Sequence, residues 1–542
     1  MGAWSLYFLA KLGLYARHMI GLHWAENLVF AIALAWPLTQ ARARIARCLI
    51  AIPIALALLY WDSFLPPFSR VLAQVDQLAA FRAGYLAELL LRFVSWRLVA
   101  VLAAAALVYG LLRSRVRFAT FALLGLVAVP CLPEPGAGGG ANATTAHGGA
   151  AASTADAVAG SVAGTFAVPT APSAAELDAA LQGFYTHERG RHVSMPAQSA
   201  PGFDLVVLSV CSLADDDIAL NGMQQSPLLS QFDLIFRHFN SAATYSGPAV
   251  LRLLHASCGQ PPQGQLYTPQ PDGCYLFRNL EQAGYRPALL LNHDGHFDHF
   301  AEQLRDQGGL GVAPEDNSAA PVAMQAFDGS PVRDDYEVLS RWWQRHSGSG
   351  DPHFALLYNT LSLHDGNVVP GVAARRSSDT YKLRLTRLFD GLQRFIDQVQ
   401  ASGRPTVVML IAEHGAALRG DAVQISGLRE LPTPAITEVP AAVKLVGFKQ
   451  DPNGGSGPIV VDRPSSYLGL ATLVSGLMHV DAGTDARATL RGLADALPMT
   501  PWVAENAGTV LMNAGGHDYM RSPDGQWAPS DTSIGAAQVA IR

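Results

Sequence analysis

The sequence runs to 542 residues, more than one ordinary core accommodates, so roughly three to four units of ordinary domain size are expected. Hydrophobic residues make up 49% and charged residues only 15%, with a mean hydropathy of +0.18, which argues against a wholly soluble chain and places part of it in lipid. A formal net charge of -6, with no Lys and Arg clustered on one face, leaves no electrostatic footprint for nucleic acid.

In chain order, the apolar residues concentrate before residue 133. Four stretches, 19–38, 45–61, 98–112 and 118–132, are close to the roughly 17 to 25 residues that cross a bilayer. The connections carrying Arg42, Arg44 and Arg47, and Arg113, Arg115 and Arg117, are short and basic, which puts both in the cytoplasm and the long C-terminal part outside. Residues 4–21 read equally as a fifth span or, because of Lys11 and Arg17, as an interfacial helix. They lack the basic start and small-residue cleavage site of a removable leader. Between the second and third spans, residues 69–96 place Val71, Leu72, Val75, Leu78 and Phe81 on one side of a helix, expected to lie on the outer leaflet. Residues 1–133 are thus expected to form a transmembrane domain of four or five spans.

Residues 134–172 are Ala, Gly, Thr, Ser and Pro with almost no large side chains, a composition that cannot bury enough surface to fold and reads as a tether. Ser173 and Glu176 then have the spacing of a capping box, and Leu177, Leu181, Phe184 and Tyr185 follow at helical spacing. An outer catalytic domain over 173–530 begins there, followed by a tail, 531–542. Short apolar runs at 204–210, 288–291, 354–358, 406–411 and 442–448 alternate with helical stretches, so the expected fold is α/β with a largely parallel central sheet buried on both faces. In such sheets ligands gather at the carboxyl ends of the strands.

The residues after those runs carry the chemistry. Cys211 follows the first run as a candidate metal ligand, against the plainer reading of a small buried hydrophobe. Glu413 and His414 follow the fourth, ahead of Gly415, where a buried charge needs a partner or a metal. Sulfur, nitrogen and oxygen donors together suit zinc, and a thiolate argues against magnesium or calcium. Ser246 stands where a helix begins, with Pro248 in its first turn; it reads as a nucleophile beside a phosphate-attracting helix start, or as a plain helix cap. His364 follows the third run as a proton donor or phosphate contact, and Arg429 could hold a phosphate oxygen. His293, His296 and His299 are spaced like a second metal site, or lie near one another adventitiously, the plainer reading since an i, i+3 cluster needs a helix that Asp294-Gly295 disfavours. Of five cysteines, Cys48 and Cys131 lie in or beside spans, and Cys258 with Cys274 is expected to form a disulfide outside the cytoplasm.

Three strings, Phe239 to Pro248, His255-Ala-Ser-Cys258-Gly-Gln and Gln424-Ile-Ser-Gly-Leu-Arg429, closely resemble the BcsG family of bacterial cellulose phosphoethanolamine transferases, in the alkaline-phosphatase superfamily. The resemblance spans most of the chain, from Leu6 to near Pro529. It implies an alkaline-phosphatase-like outer domain in the periplasm, anchored in the inner membrane. One Zn2+ would be surrounded by Cys211, Ser246, Glu413 and His414, with Ser246 as nucleophile. Tyr245, His364 and Arg429 would hold the phosphoethanolamine group. It also implies phosphatidylethanolamine as donor, cellulose as acceptor and inner-membrane cellulose synthase subunits as partners. The Cys-x-Pro-Ser-Arg string of sulfatases is absent, and Ser246 and Glu413-His414-Gly415 depart from the Thr nucleophile and Asp-His-Gly usual in lipid A phosphoethanolamine transferases. The alternatives are transfer to lipid A or another envelope glycan, or a mainly structural role in a cellulose-secretion complex.

Overall fold

The computed structural model describes residues 2, 4–16, 20–63, 80–92, 96–112, 115–129, 172–196, 202–348, 353–421, 423–449, 457–479 and 485–530. The chain divides into two compact units, Met1–Arg70 with Val94–Ser173, and Val71–Phe93 with Ala174–Arg542.

The first unit is helical: Trp4–Tyr15, Trp24–Ala35, Ala41–Asp62, Trp96–Leu112 and Phe118–Ala128. Among the described residues only Ala41–Asp62, 22 residues and about 33 Å at the helical rise, is long and apolar enough to cross a membrane. Leu49, Ile50, Ile52, Leu56 and Trp61 stand exposed around it, an apolar girdle that a hydrocarbon solvent would satisfy. Arg42, Arg44 and Arg47 lie within its first turns and not in a connection, because Pro37 ends the preceding helix and the Ala- and Arg-rich run that follows favours helix.

In the helix Trp4–Tyr15, expected as a fifth span or as an interfacial helix, Lys11 does not turn to water. Lys11 is buried, donating to Asn27 Oδ1 (2.7 Å) and the Leu58 carbonyl (3.3 Å) and paired with Asp62. Asp62 also accepts from Asn27 Nδ2 (2.8 Å) and the His23 backbone N–H (3.0 Å), so both charges are compensated where they are buried. At 12 residues this helix covers about 18 Å, short of a full span.

The second unit is built on a seven-stranded sheet. In chain order its strands are β1 (Asp204–Val210), β2 (Leu234–Phe236), β3 (Arg286–Leu291), β4 (Phe354–Thr360), β5 (Thr406–Ala412), β6 (Ala441–Val446) and β7 (Ile459–Val461). Their spatial order is β3-β4-β1-β5-β6-β2-β7. The pairs β3/β4, β4/β1, β1/β5 and β2/β7 are parallel, whereas β6 runs antiparallel to β5 and β2. Every residue of β1, β4 and β5 is buried, as expected for central strands covered on both faces. The α/β class with a largely parallel sheet is therefore what the chain adopts, and the five expected runs are five of its strands.

A smaller antiparallel sheet, Val503–Asn506, Thr509–Ala514, His517–Arg521 and Trp527–Pro529, follows near the C-terminus. The helix Ala174–Arg189 buries Leu177, Leu181, Phe184 and Tyr185 against its Val503, Val510, Met512 and Tyr519.

Of the segment expected on the outer leaflet, residues 80–92 are described, with Trp96 beyond them. Val71, Leu72, Val75 and Leu78 lie outside the described residues, but the helix Ala83–Arg92 belongs to the second unit, and Phe81 just ahead of it stacks on Phe297 and meets Phe327 edge-on. Of the expected apolar side, Phe81 is thus packed on protein, whereas Leu90 and Leu91 of the helix that follows stand exposed. The expected tether and tail lie outside the described residues, apart from residue 172.

Candidate active site

The two central parallel strands β1 and β5 deliver their C-terminal residues side by side. The sheet bonding continues past them, with the Glu413 N–H donating to the Val210 carbonyl (2.9 Å) and Leu213 N–H to the His414 carbonyl (2.7 Å). That ladder fixes Cys211 beside Glu413 and His414. Ser212, next to Cys211, is held at φ +60°, a conformation costly for a non-glycine residue and here imposed by the turn off the sheet. Gly415 must remain glycine, since a Cβ there would lie 2.7 Å from Ala214 Cβ and 2.9 Å from the Ala435 carbonyl oxygen.

The donor atoms of Cys211, Glu413 and His414 all lie within 4.8 Å of one another, and all three residues are buried. Ser246 completes the group: its Oγ is 3.3 Å from Cys211 Sγ and 3.2 Å from His414 Nε2, which is 3.8 Å from the sulfur. Ser246 is the first residue of the helix Ser246–Leu254, with Tyr245 in the cap position and no side-chain capping bond. The reading of Ser246 as a plain cap is thus replaced: its hydroxyl turns toward sulfur and imidazole. The first helical bond runs from the Ala249 N–H to the Tyr245 carbonyl (3.2 Å), so the Ser246 and Gly247 N–H groups precede the ladder, at the positive end of the helix dipole.

These residues fit a zinc ion. Bond lengths of about 2.0 to 2.3 Å in a tetrahedron separate neighbouring donors by roughly 3.2 to 3.7 Å, close to the three distances above. Glu413 Oε1 accepts from Ser209 Oγ (2.8 Å) and from Asn359 Nδ2, but its buried Oε2 has no hydrogen-bond partner. An orphaned carboxylate oxygen is costly unless a cation faces it. Without one, burial pushes the Cys211 thiol up to about 12, helped by the Glu413 charge, and raises the Glu413 carboxyl to about 7. Burial, then Arg429, holds the His414 imidazolium far below its ordinary range. His414 Nδ1 lies 2.9 Å from the Gly415 carbonyl, which can only accept; with the proton on Nδ1, the Nε2 lone pair faces sulfur and serine.

Glu413 is aimed from behind by a chain legible only in three dimensions. The Gly295 N–H donates to His293 Nδ1 (3.1 Å), so His293 Nε2–H donates to Asn359 Oδ1 (3.1 Å), and Asn359 donates to Glu413. His293 therefore supports a ligand through Asn359. His296 and His299 point elsewhere, largely exposed and paired with Asp294 (3.4 Å) and Glu302 (3.0 Å), as their doubtful spacing suggested. Replacing Asn359 by Leu should weaken metal binding by about ten- to a hundredfold, the usual effect of losing an outer partner of a ligand. Chelator competition measures it, and an unchanged affinity would remove this relay from the account.

Arg429 approaches from the other side, 3.1 Å from His414 Nδ1 and 3.4 Å from Ser212 Oγ, with its guanidinium 5.1 Å from the Tyr245 ring centre. Tyr245 donates to Glu430 Oε1 (2.6 Å) and remains part-exposed at the rim. His364 shares this field: burial and then Arg429 lower its pKa to about 4, so its ring is neutral. Its Nδ1 lies 2.7 Å from the Asp365 carbonyl, which leaves Nε2 unprotonated and able to accept. Cys258 and Cys274 are joined in a disulfide that ties the chain after the Ser246 helix to the turn Asp272–Cys274. Removing it by a double Ser substitution should cost about 3 kcal/mol for a loop of 16 residues, read as a lower midpoint in denaturant.

Against known proteins, residues 4–131 match the family described as the BcsG N-terminal domain, and residues 163–527 match the BcsG C-terminal domain. The cellulose biosynthesis protein BcsG of Salmonella typhimurium is 39% identical, covering 98% of this chain and 96% of that protein. Its counterpart in Escherichia coli K12 is 38% identical with the same coverage. More distant solved structures include an alkaline-phosphatase-superfamily protein from Vibrio parahaemolyticus, 16% identical with a TM-score of 0.47 over 65% of this chain and 87% of that one. Another is the C-terminal periplasmic domain of EcEptC from Escherichia coli in complex with Zn, 16% identical with a TM-score of 0.39 over 58% and 93%. With both halves matched and two curated relatives aligned nearly end to end, the chain belongs to the BcsG family of cellulose biosynthesis proteins.

Proposed function

We propose that this protein transfers phosphoethanolamine from phosphatidylethanolamine to the 6-hydroxyl of glucose units in cellulose, through a covalent phosphoethanolamine-Ser246 intermediate. The observation that carries the reading is the placement of Ser246 Oγ at a helix start, within 3.3 Å of a buried thiol and 3.2 Å of an imidazole nitrogen. Zinc held by Cys211, Glu413 and His414 beside Ser246 would supply Lewis-acid polarisation and favour the serine alkoxide.

The chain's own residues do the rest. The Ser246 and Gly247 N–H groups and Arg429 bind phosphoryl oxygens, while Tyr245 borders the entrance. In the first step Ser246 Oγ bonds to phosphorus, the glycerol oxygen–phosphorus bond breaks, and the serine proton ends on diacylglycerol. In the second, the glucose oxygen bonds to phosphorus, the Ser246–phosphorus bond breaks, and the hydroxyl proton of the sugar returns to Ser246. Splitting the transfer this way avoids bringing lipid and polymer together at once. His364 Nε2, neutral and unprotonated, is suited to hold the proton in passage.

A donor confined to the outer leaflet accounts for an anchored enzyme. In this reading residues 1–133 cross the inner membrane several times, 173–530 form the periplasmic catalytic domain beyond a flexible 134–172, and cellulose synthase subunits are neighbours. Mass spectrometry of the polymer made with and without the protein tests the acceptor: unmodified cellulose in both would refute it, and a modified lipid A in its place would favour the alternative glycan.

A further inference from the structure

The helix Ala83–Arg92 lies in sequence between the two stretches of the first unit, yet its contacts are with the catalytic unit. They converge on one turn. Arg92 Nη2 is 2.9 Å from Asp365 Oδ1 and 2.8 Å from Oδ2, and Tyr85 OH donates to Asp365 Oδ2 (3.0 Å). Burial opposes ionisation of Asp365, but Arg92 and Ser377 outweigh it and hold the carboxyl below the usual range. Glu88 accepts from the Ser377 N–H (3.2 Å), and Arg82 donates to the Gly366 carbonyl (2.9 Å). Gly366 sits at φ +79°, where a Cβ would lie 2.6 Å from Phe327 and 2.8 Å from the Tyr85 ring. Phe81 and Tyr85 pack on Phe327, and the Phe327 ring lies 4.4 Å from the His364 ring, tilted by 35°.

We propose that Ala83–Arg92 is a strap that sets the position of His364: it holds the ring face through Phe327 and the Nδ1 partner through Asp365. Arg92 and Tyr85 are positioning residues for the transfer proposed above, on which this inference rests. The chain that leaves the first unit at residue 70 and re-enters it at residue 94 passes through the strap, so anchor and reaction centre share one covalent segment. The active site is complete only in a chain that carries both. A catalytic fragment starting near Ser173 lacks the strap, and its deficit should extend beyond lost access to lipid.

The test uses the full-length protein in detergent with a soluble phosphoethanolamine ester bearing a good leaving group, which removes lipid access from the comparison. Arg92→Ala should lower kcat by about ten- to a hundredfold with little change in KM and with metal content retained, the cost of a misplaced group. Arg92→Lys, which keeps the charge, should recover part of the loss, and Tyr85→Phe, which keeps the packing on Phe327, should lose less, about two- to tenfold. Hydrogen exchange over residues 361–377 should quicken in Arg92→Ala. Wild-type kcat and wild-type exchange in Arg92→Ala would overturn the strap. If the wild-type protein itself neither turns over the ester nor carries the adduct on Ser246, the proposed reaction fails instead. The exchange experiment then still decides whether the strap orders the His364 turn.

Discussion

Ser246→Ala in the full-length protein should abolish phosphoethanolamine on cellulose while the polymer is still secreted. A loss of roughly 10³-fold or more is expected, because a removed nucleophile leaves only binding and electrostatics behind. The substitution deletes one hydroxyl at the first position of a helix that makes no side-chain capping bond, so the fold and its melting temperature should hardly change. Two readouts separate the competing ideas. Fully modified cellulose from Ser246→Ala would disprove the nucleophile assignment, whereas unmodified but secreted cellulose would disprove a purely structural role. Trapping with the soluble ester should place the adduct on the peptide containing Ser246 in the wild type and on no peptide in the variant.

The second large effect concerns the metal. One zinc per chain is expected, falling to near none in Cys211→Ala with His414→Ala. The remaining Glu413 would then be a buried carboxylate without a cation, as its unpartnered Oε2 indicates. Affinity should also rise with pH. In the metal-free site burial keeps protons on the Cys211 thiol, pushed to about 12, and on the Glu413 carboxyl, near 7. Both must shed protons to act as ligands. His414, its imidazolium disfavoured by burial and by Arg429, is already neutral and adds little to that dependence. Acidification therefore strips the site and alkalinisation up to about pH 8 tightens it, measurable with a chromophoric chelator between pH 5 and 8. An affinity flat across that range would show that the thiol and carboxyl are not ligands.

Much of this centre was readable because its residues sit directly after strands buried on both faces. Runs such as 204–210 and 406–411 are continuous apolar stretches with chemistry at their ends, and a parallel sheet brings such ends together. The strands Leu234–Phe236 and Ile459–Val461 are three residues each, too short for periodicity to register. Asn359 and Ser209 lie inside strands, where a polar residue gives no hint that it orients a carboxylate more than fifty residues away in sequence. Phe81 was legible as part of an apolar face, but what covers such a face is a tertiary matter; membrane and protein offer the same driving force. The burial of Lys11 was hidden for a related reason. Its partner Asp62 is about fifty residues on, and a lone Lys in an apolar stretch otherwise signals an interface.

The strap also has a consequence for biosynthesis. Its residues are synthesised 273 to 289 positions ahead of the Asp365 and Ser377 groups they bind. At about 5 to 20 residues per second, the ribosome needs roughly 15 to 60 s to deliver those partners. Until residue 327 is made Tyr85 lacks its Phe327 neighbour, and until residue 365 is made Arg92 has Glu88 but not Asp365. The turn at Gly366 and then Ser377 emerge last among the contacts, so the strap closes as a late event, after β1, β3 and β4 are made. Pulse-chase proteolysis should therefore find residues near the strap cleavable in nascent chains that end before residue 365 and protected in chains that extend well past residue 377.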